Sequence, residues 1–224
     1  ECRWKGSDSK LLSLLYYIAW LLAFRPMLDK LGFMRVKVAV TGGAPIPERV
    51  QALWQMWGVD LRNGYGQTEC GGLVTVQQRR FPKPGTAGRP VPGFEVRLSE
   101  DGEVLFRGPS VFSGYWRAPD KTAETLDEEG WVHTGDVGEW TDDGELRLVD
   151  RKKDILVTAG GKNISPTEIE TLLKSSPYIS EAVVFGEGRK YLTALIEIDY
   201  DTCAEWARQR GIPFTGFSSL ISRP

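Results

Sequence analysis

Histidine occurs once in the 224 residues, at His133, and cysteine three times, at Cys2, Cys70 and Cys203. The cysteines are too far apart to pair as metal ligands, and one histidine cannot complete a zinc set. So sparse a set also excludes a disulfide framework and points to a reducing compartment, the cytoplasm. Charge of one sign is missing too: 28 basic residues face 30 acidic ones, a net charge of −2. That balance excludes a surface built for nucleic acid, so no nucleic-acid partner is expected. No basic-then-apolar signal segment precedes the first helical pattern, although the chain begins with glutamate. The longest apolar run, Leu11 to Phe24, is 14 residues and includes Ser13, Tyr16, Tyr17 and Trp20. A bilayer span needs roughly 20. A packed helix is therefore expected there, with peripheral membrane contact as the alternative.

With 41% hydrophobic and 26% charged residues, the composition is that of a globular chain able to bury one or two cores. The first 34 residues read as helical, interrupted by Pro26 and Gly32. Residues 35–41 alternate as a strand and run into a turn, Gly42-Gly43-Ala44-Pro45. Pro47 suits the first turn of a helix, on which Val50, Leu53, Trp54 and Trp57 share one face. A short strand at 59–62 leads into a second glycine loop, 63–69. This order is that of a layered α/β domain, whose ligands bind where strands end. From Gly85 to Asp150, short strands (95–98, 103–107, 137–140, 146–149) alternate with Asp-Gly turns, which predicts an antiparallel region with one helix at 120–126. Beyond Asp150 comes hairpin, helix, strand (182–185), strand (192–198) and helix (202–210). There Ser165-Pro166-Thr167-Glu168 forms a capping box, with Glu168 reaching back. The expected fold is thus α/β plus α+β: part of a large layered domain with an antiparallel β subdomain over 1–150, then an incomplete small α+β domain over 151–224. The boundary is expected at Asp150–Lys153.

Several segments can carry chemistry. In the loop Asn63–Glu69, glycines beside Tyr65 let backbone pass close to a ligand. There an aromatic ring can stack on a base, Thr68 can bond a phosphate oxygen and Glu69 can hold Mg2+. The alternative is a tight turn with a buried tyrosine and a surface carboxylate. The turn at Gly43, Ala44 and Pro45 follows a strand, where backbone N–H groups can face a ligand. It can equally be geometry alone. In His133-Thr134-Gly135-Asp136 the carboxylate can accept both hydroxyls of a ribose, or simply serve a turn. His133 has no nucleophile motif with it and reads as structural. The run Arg151-Lys152-Lys153-Asp154 is a solvated strand end or a hinge with Arg151 reaching a ribose or phosphate.

Taken in order, TGGAPIP (41–47), NGYGQTE (63–69), GEVLFRGPSVFSGYW (102–116), WVHTGD (131–136) and DRKKDILVTAGGKNISPTEIE (150–170) resemble the adenylate-forming superfamily. That superfamily comprises acyl-CoA synthetases, peptide-synthetase adenylation domains and luciferases. The resemblance implies that Gly43, Ala44 and Pro45 border adenine and the acyl pocket, with Gly66 in the same nucleotide loop. It implies that Tyr65 stacks on adenine, Thr68 binds phosphate and Glu69 holds Mg2+, these last two as catalytic residues. Asp136 would bind ribose beside Arg151. Lys153 would be the hinge of a rotating small domain, and Gly160 and Gly161 would line a coenzyme A tunnel. ATP (leaving as AMP), Mg2+ and coenzyme A are the implied cofactors, and a fatty acid or other carboxylic acid the substrate. The wording around FRPMLDKLG (24–32) is most similar to bacterial long-chain fatty acid–CoA ligases. Two family features do not occur in these 224 residues: a Ser/Thr/Gly-rich phosphate loop ending in lysine, and a lysine beyond Lys190. The chain alone is therefore expected not to form acyl-adenylate. A truncated nucleotide-binding paralogue and an aryl- or amino-acid adenylation domain are the alternatives.

Overall fold

A computed structural model of the chain describes residues 10–222. The helical expectation for positions 1–9, Cys2 and the chain end at Pro224 lie outside them. Residues through Leu148 form one compact unit and those from Val149 a second.

In the first unit, helix α1 (Lys10–Ala19) passes through a π turn (Trp20–Phe24) into α2 (Arg25–Lys30). Pro26 does not break the helix as expected. Proline lacks an N–H and crowds the carbonyl four residues back, and the wider π turn, with Arg25 N–H bonded to Trp20 O, takes up that crowding. Helix therefore runs from Lys10 to Lys30, 21 residues long and apolar enough to cross a membrane by length and composition. That exceeds the 14-residue run read from the sequence. Nor is its apolar surface packed as expected. Leu11, Leu12, Leu14, Leu15, Ile18 and Leu22 are exposed, and only Leu28 is buried, against Val59 and Leu61.

Strand β1 is confined to Ala39–Thr41, shorter than the expected 35–41, because a 3-10 turn occupies Phe33–Arg35. It pairs in parallel with β2 (Leu61–Tyr65), which pairs antiparallel with β3 (Thr75–Val76), and β3 with β4 (Arg89–Pro90). Asn63, Gly64 and Tyr65 thus belong to a strand, and the second glycine loop starts only at Gly66. Between β1 and β2, α3 (Glu48–Trp57) buries Gln51 and Gln55, and leaves Val50 and Leu53 exposed. The expected apolar face is thus only half met: Trp54 and Trp57 pack against Val59 and Leu61, while Val50 and Leu53 stay outside. Both glutamine amides donate to Leu61 O at 3.1 Å, and Gln51 also donates to Gln77 Oε1 at 2.6 Å and Gln55 to Pro82 O at 2.9 Å. Bonded amides tolerate burial, and here they pin α3 to the strand that carries the glycine loop.

The antiparallel region is a four-stranded sheet in the order β5 (Glu95–Leu98), β6 (Glu103–Arg107), β7 (Val132–Trp140), β8 (Leu146–Arg151). Helix α4 (Pro119–Thr125) precedes β7. Cys70, Val74, Phe106 and Val132 close over one another as a core. Fully burying a side chain such as Phe106 contributes about 1.5–3 kcal/mol. Strand β7 begins five residues earlier than the expected 137, so His133–Asp136 lies within a strand and not at its edge.

In the second unit, β9 (Leu156–Val157) and β10 (Asn163–Ile164) form a hairpin, and α5 (Pro166–Lys174) packs on β11 (Ile179–Phe185). Strand β11 pairs antiparallel with β12 (Thr193–Ile198), and α6 (Tyr200–Gln209) and α7 (Phe217–Ile221) follow. Ser165 caps α5 as expected, accepting from Glu168 N–H at 3.2 Å. The second acceptor at this helix start is Asp150, not the expected Glu168. The Asp150 carboxylate takes Ser165 Oγ at 2.6 Å, Thr167 N–H at 3.1 Å and Thr167 Oγ1 at 2.8 Å. Asp199 caps α6 by accepting Thr202 N–H at 2.9 Å. Bonds from the Thr202 side chain and backbone hold its carboxyl below the usual range.

Two outcomes follow for the second unit. Asp150→Ala removes the acceptor of four donors, the three above and Arg151 N–H, and should cost about 1–3 kcal/mol in denaturant unfolding of this unit. The Asp199 cap stabilises fully above the ordinary carboxylate pKa and is lost as pH falls through the lowered folded value. The protection factors of amides in the first turn of α6, measured against intrinsic exchange at each pH, should therefore fall on acidification, and Asp199→Ala should remove that acid step.

Candidate nucleotide site

The two glycine turns leave the C-terminal ends of adjacent parallel strands, where Thr41 pairs with Asn63. Gly43, Ala44 and Pro45 are exposed in the first turn. Gly42 beside them lies against Gly64: a Cβ there would meet Gly64 O at 2.8 Å. The sheet thus brings both turns together at one edge.

Tyr65 ends β2, buried against Ala87, Val104 and Leu146. Its hydroxyl donates to Asp136 Oδ2 at 2.7 Å. Gln67 Nε2 donates to the same oxygen at 2.8 Å and to Thr134 O at 3.0 Å. Asp136 is 9% exposed. Its orientation comes from a bulge. Between the pairs Leu105–His133 and Glu103–Val137 the register shifts, so Val104 alone faces Thr134, Gly135 and Asp136. Such bulges redirect side chains. Three bonds hold this one. Thr134 Oγ1 donates to Val104 O at 2.7 Å, Asp136 N–H donates to Thr134 Oγ1 at 3.0 Å, and Gly135 N–H donates to Glu103 Oε1 at 2.8 Å.

Beyond Gly66 the chain folds into a 3-10 turn, Thr68–Cys70. Thr68 is exposed and Glu69 half-buried, so the hydroxyl and the carboxylate both reach solvent at the mouth of the loop. Gly66 is needed for this path, since a Cβ on it would fall 1.8 Å from Gly72 O. The Tyr115 hydroxyl donates to Glu69 Oε1. That bond, with burial in support, raises the Tyr115 pKa above its ordinary value, against a smaller lowering by Thr125. The phenol therefore stays a donor. The assembly is a buried carboxylate with set orientation, and beside it an exposed hydroxyl and a second carboxylate.

Residues 15–116 match the AMP-binding enzyme family, and residues 153–210 match the AMP-binding enzyme C-terminal domain. The chain belongs to the AMP-binding, adenylate-forming enzymes. Over 214 residues, 96% of this chain, it is 40% identical to the long-chain-fatty-acid–CoA ligase FadD15 of Mycobacterium bovis. Over 190 residues, 79% of the chain, it is 37% identical to long-chain-fatty-acid–CoA ligase 1 of Homo sapiens. It spans 35% and 27% of the length of these two relatives. Among solved structures, o-succinylbenzoate CoA synthetase from Bacillus subtilis, in complex with the acyl-adenylate intermediate OSB-AMP, superposes with a TM-score of 0.68 at 26% identity. That superposition covers 81% of this chain and 42% of the synthetase.

Within this member of the AMP-binding family, Gly43, Ala44, Pro45, Tyr65, Gly66, Thr68, Glu69 and Asp136 lie in the first unit. The remaining candidates lie in the second. Arg151 ends β8, exposed, with its N–H on Asp150 Oδ1 at 2.7 Å. Lys153 is exposed in the turn after it, and Gly160 and Gly161 form the exposed turn between β9 and β10. Sequence reasoning missed three contributors. Gln67 sits inside the NGYGQTE loop, but its role depends on the 67–136 contact. Glu103 and Tyr115 fall in a stretch recognised only by resemblance, and no local pattern marks them. Gly66→Ala should lower stability by about 2 kcal/mol or more, as a backbone clash that no rotamer relieves. A denaturant midpoint close to that of the unmodified chain would contradict this geometry.

Proposed function

We propose that this chain supplies the adenosine-binding side and the hinge region of an ATP-dependent long-chain fatty acid–CoA ligase. The observation that carries the reading is the buried Asp136, presented by a bulge and held by Tyr65 and Gln67. A carboxylate is an acceptor-only group with two oxygens, suited to the paired hydroxyls of a ribose. In this reading Tyr65 holds Asp136 and borders the adenine, and Gly43, Ala44, Pro45 and Gly66 bring backbone close to the nucleotide. Thr68 donates to a phosphate oxygen. Arg151 is a nucleotide-binding residue, Lys153 is the hinge, and Gly160 and Gly161 belong to the path of coenzyme A.

Among the described residues no cluster of three His, Cys, Asp or Glu side chains forms a self-sufficient metal cage. Mg2+ commonly takes one or two carboxylates and fills its remaining positions with phosphates and water. The half-buried Glu69 beside Thr68 fits that mode, and Mg2+ bound there would neutralise phosphate charge. In the reaction a carboxylic acid attacks the α-phosphate of ATP, releasing pyrophosphate, and the thiol of coenzyme A then displaces AMP. This chain's part is to orient the ribose through Asp136 and the phosphates through Thr68. A fatty acid substrate is favoured over an aryl acid because the long-chain relatives are 37–40% identical, against 26% for the o-succinylbenzoate synthetase.

The purified 224-residue chain should bind AMP, and Asp136→Asn should weaken that binding about tenfold or more, since hydrogen bonds to a charged group contribute about 1.5–3 kcal/mol. Equilibrium titration with a fluorescent AMP analogue measures it, and unchanged affinity would sink the ribose assignment. The same chain should give no ATP–pyrophosphate exchange, having neither the Ser/Thr/Gly-rich loop nor a lysine beyond Lys190. Robust exchange would show that those elements are dispensable.

A further inference from the structure

The segment Gly108–Trp116 is tied to the Thr68–Cys70 turn at three points. Ser110 Oγ donates to Cys70 O at 2.6 Å, Phe112 N–H to Glu69 O at 2.8 Å, and the Tyr115 hydroxyl to Glu69 Oε1. Glu69 is therefore held by both backbone and side chain, from a segment more than 40 residues away in sequence. The placement of Tyr115 is itself over-determined. Its N–H donates to Thr122 Oγ1 at 2.9 Å, and its ring meets the edge of Phe112 with centroids 4.8 Å apart. Gly114 before it has φ +137°, and a Cβ there would lie 2.7 Å from Thr122 Cγ2. A phenol so fixed reaches a half-buried carboxylate and occupies one of its two oxygens.

We propose that Tyr115 is a positioning residue for Glu69, holding Oε1 so that Oε2 is presented to the divalent cation that accompanies ATP. The proposal rests on the reading of Glu69 as a cation ligand. Carboxylates that bind metals are themselves hydrogen-bonded, and removing the outer partner commonly costs 10–100-fold in metal affinity. A long carboxylate side chain at a loop mouth has many rotamers, and only some direct an oxygen at the phosphates bound beside Thr68. The phenol selects among them before the metal arrives.

The test uses the 224-residue chain and ATP, titrated once with Mg2+ and once with EDTA. The ratio of the two affinities is the metal-coupled gain. Tyr115→Phe keeps the ring against Phe112 and deletes only the hydroxyl, with its bonds to Glu69 and Thr125. It should leave the EDTA affinity unchanged while cutting the metal-coupled gain about tenfold. Glu69→Gln should abolish the gain. If Glu69→Gln abolishes it and Tyr115→Phe keeps it, the positioning role is overturned and the Glu69 reading stands. If Tyr115→Phe weakens both affinities equally, the tyrosine only shapes the loop and the proposal is likewise overturned. If Glu69→Gln keeps the gain, or the unmodified chain shows none, the reading of Glu69 fails and the proposal with it.

Discussion

A carboxylate placed inside a protein must be given donors, or its burial opposes folding by several kcal/mol. Asp136 is such a group, and the first unit is arranged around it. Its donors, Tyr65 and Gln67, come from the end of β2 and from the glycine loop, some 70 residues away. Meeting that demand sets the conformation of the loop and requires a residue without a side chain at Gly66. It also couples the parallel pair β1–β2 to the antiparallel sheet through the bulge in β7. In this member of the AMP-binding family, the carboxylate proposed to meet the ribose is thus also the group that joins the two sheets.

Buried polar groups do similar work elsewhere in the chain. Gln51 and Gln55 fix α3 to the carbonyl of Leu61, and Gln77, itself bonded to Gln51, accepts the N–H of Asn63. Strand β2 is therefore held by side-chain amides at Leu61 and Asn63, immediately before it delivers Tyr65. In the second unit Asp150 gathers the hydroxyls and N–H groups at the start of α5. Each device exchanges apolar packing for directed bonds, and directed bonds fix position more narrowly than contact area does.

Much of the fold was legible locally. Asp101-Gly102 and Asp143-Gly144 fall at turns, Ser165-Pro166 starts a helix, and strands 95–98 and 103–107 occur where alternation put them. The misreadings share a cause. Val50 and Leu53 look like a buried face by periodicity, yet Gln51 and Gln55 on the same helix find long-range partners and take the interior. Pro26 looks like a stop, yet one π turn absorbs it. The segment 133–136 looks like a strand edge, yet Val132 and Phe106 pair across the sheet and draw it into the strand.

The candidate site divides in the same way. Residue types and spacing alone determined that hydroxyls, carboxylates and glycines capable of nucleotide chemistry recur along this chain, because those capacities reside in the side chains. Their order carried the resemblance to the adenylate-forming enzymes. Only the tertiary structure decided that Tyr65 and Gln67 converge on one oxygen of Asp136, and that Tyr115 rather than a neighbour in sequence meets Glu69. Hydrogen bonds act within about 3 Å. Partners 46 or 71 residues apart reach that distance only after the sheets have set their register, so no local pattern announces them.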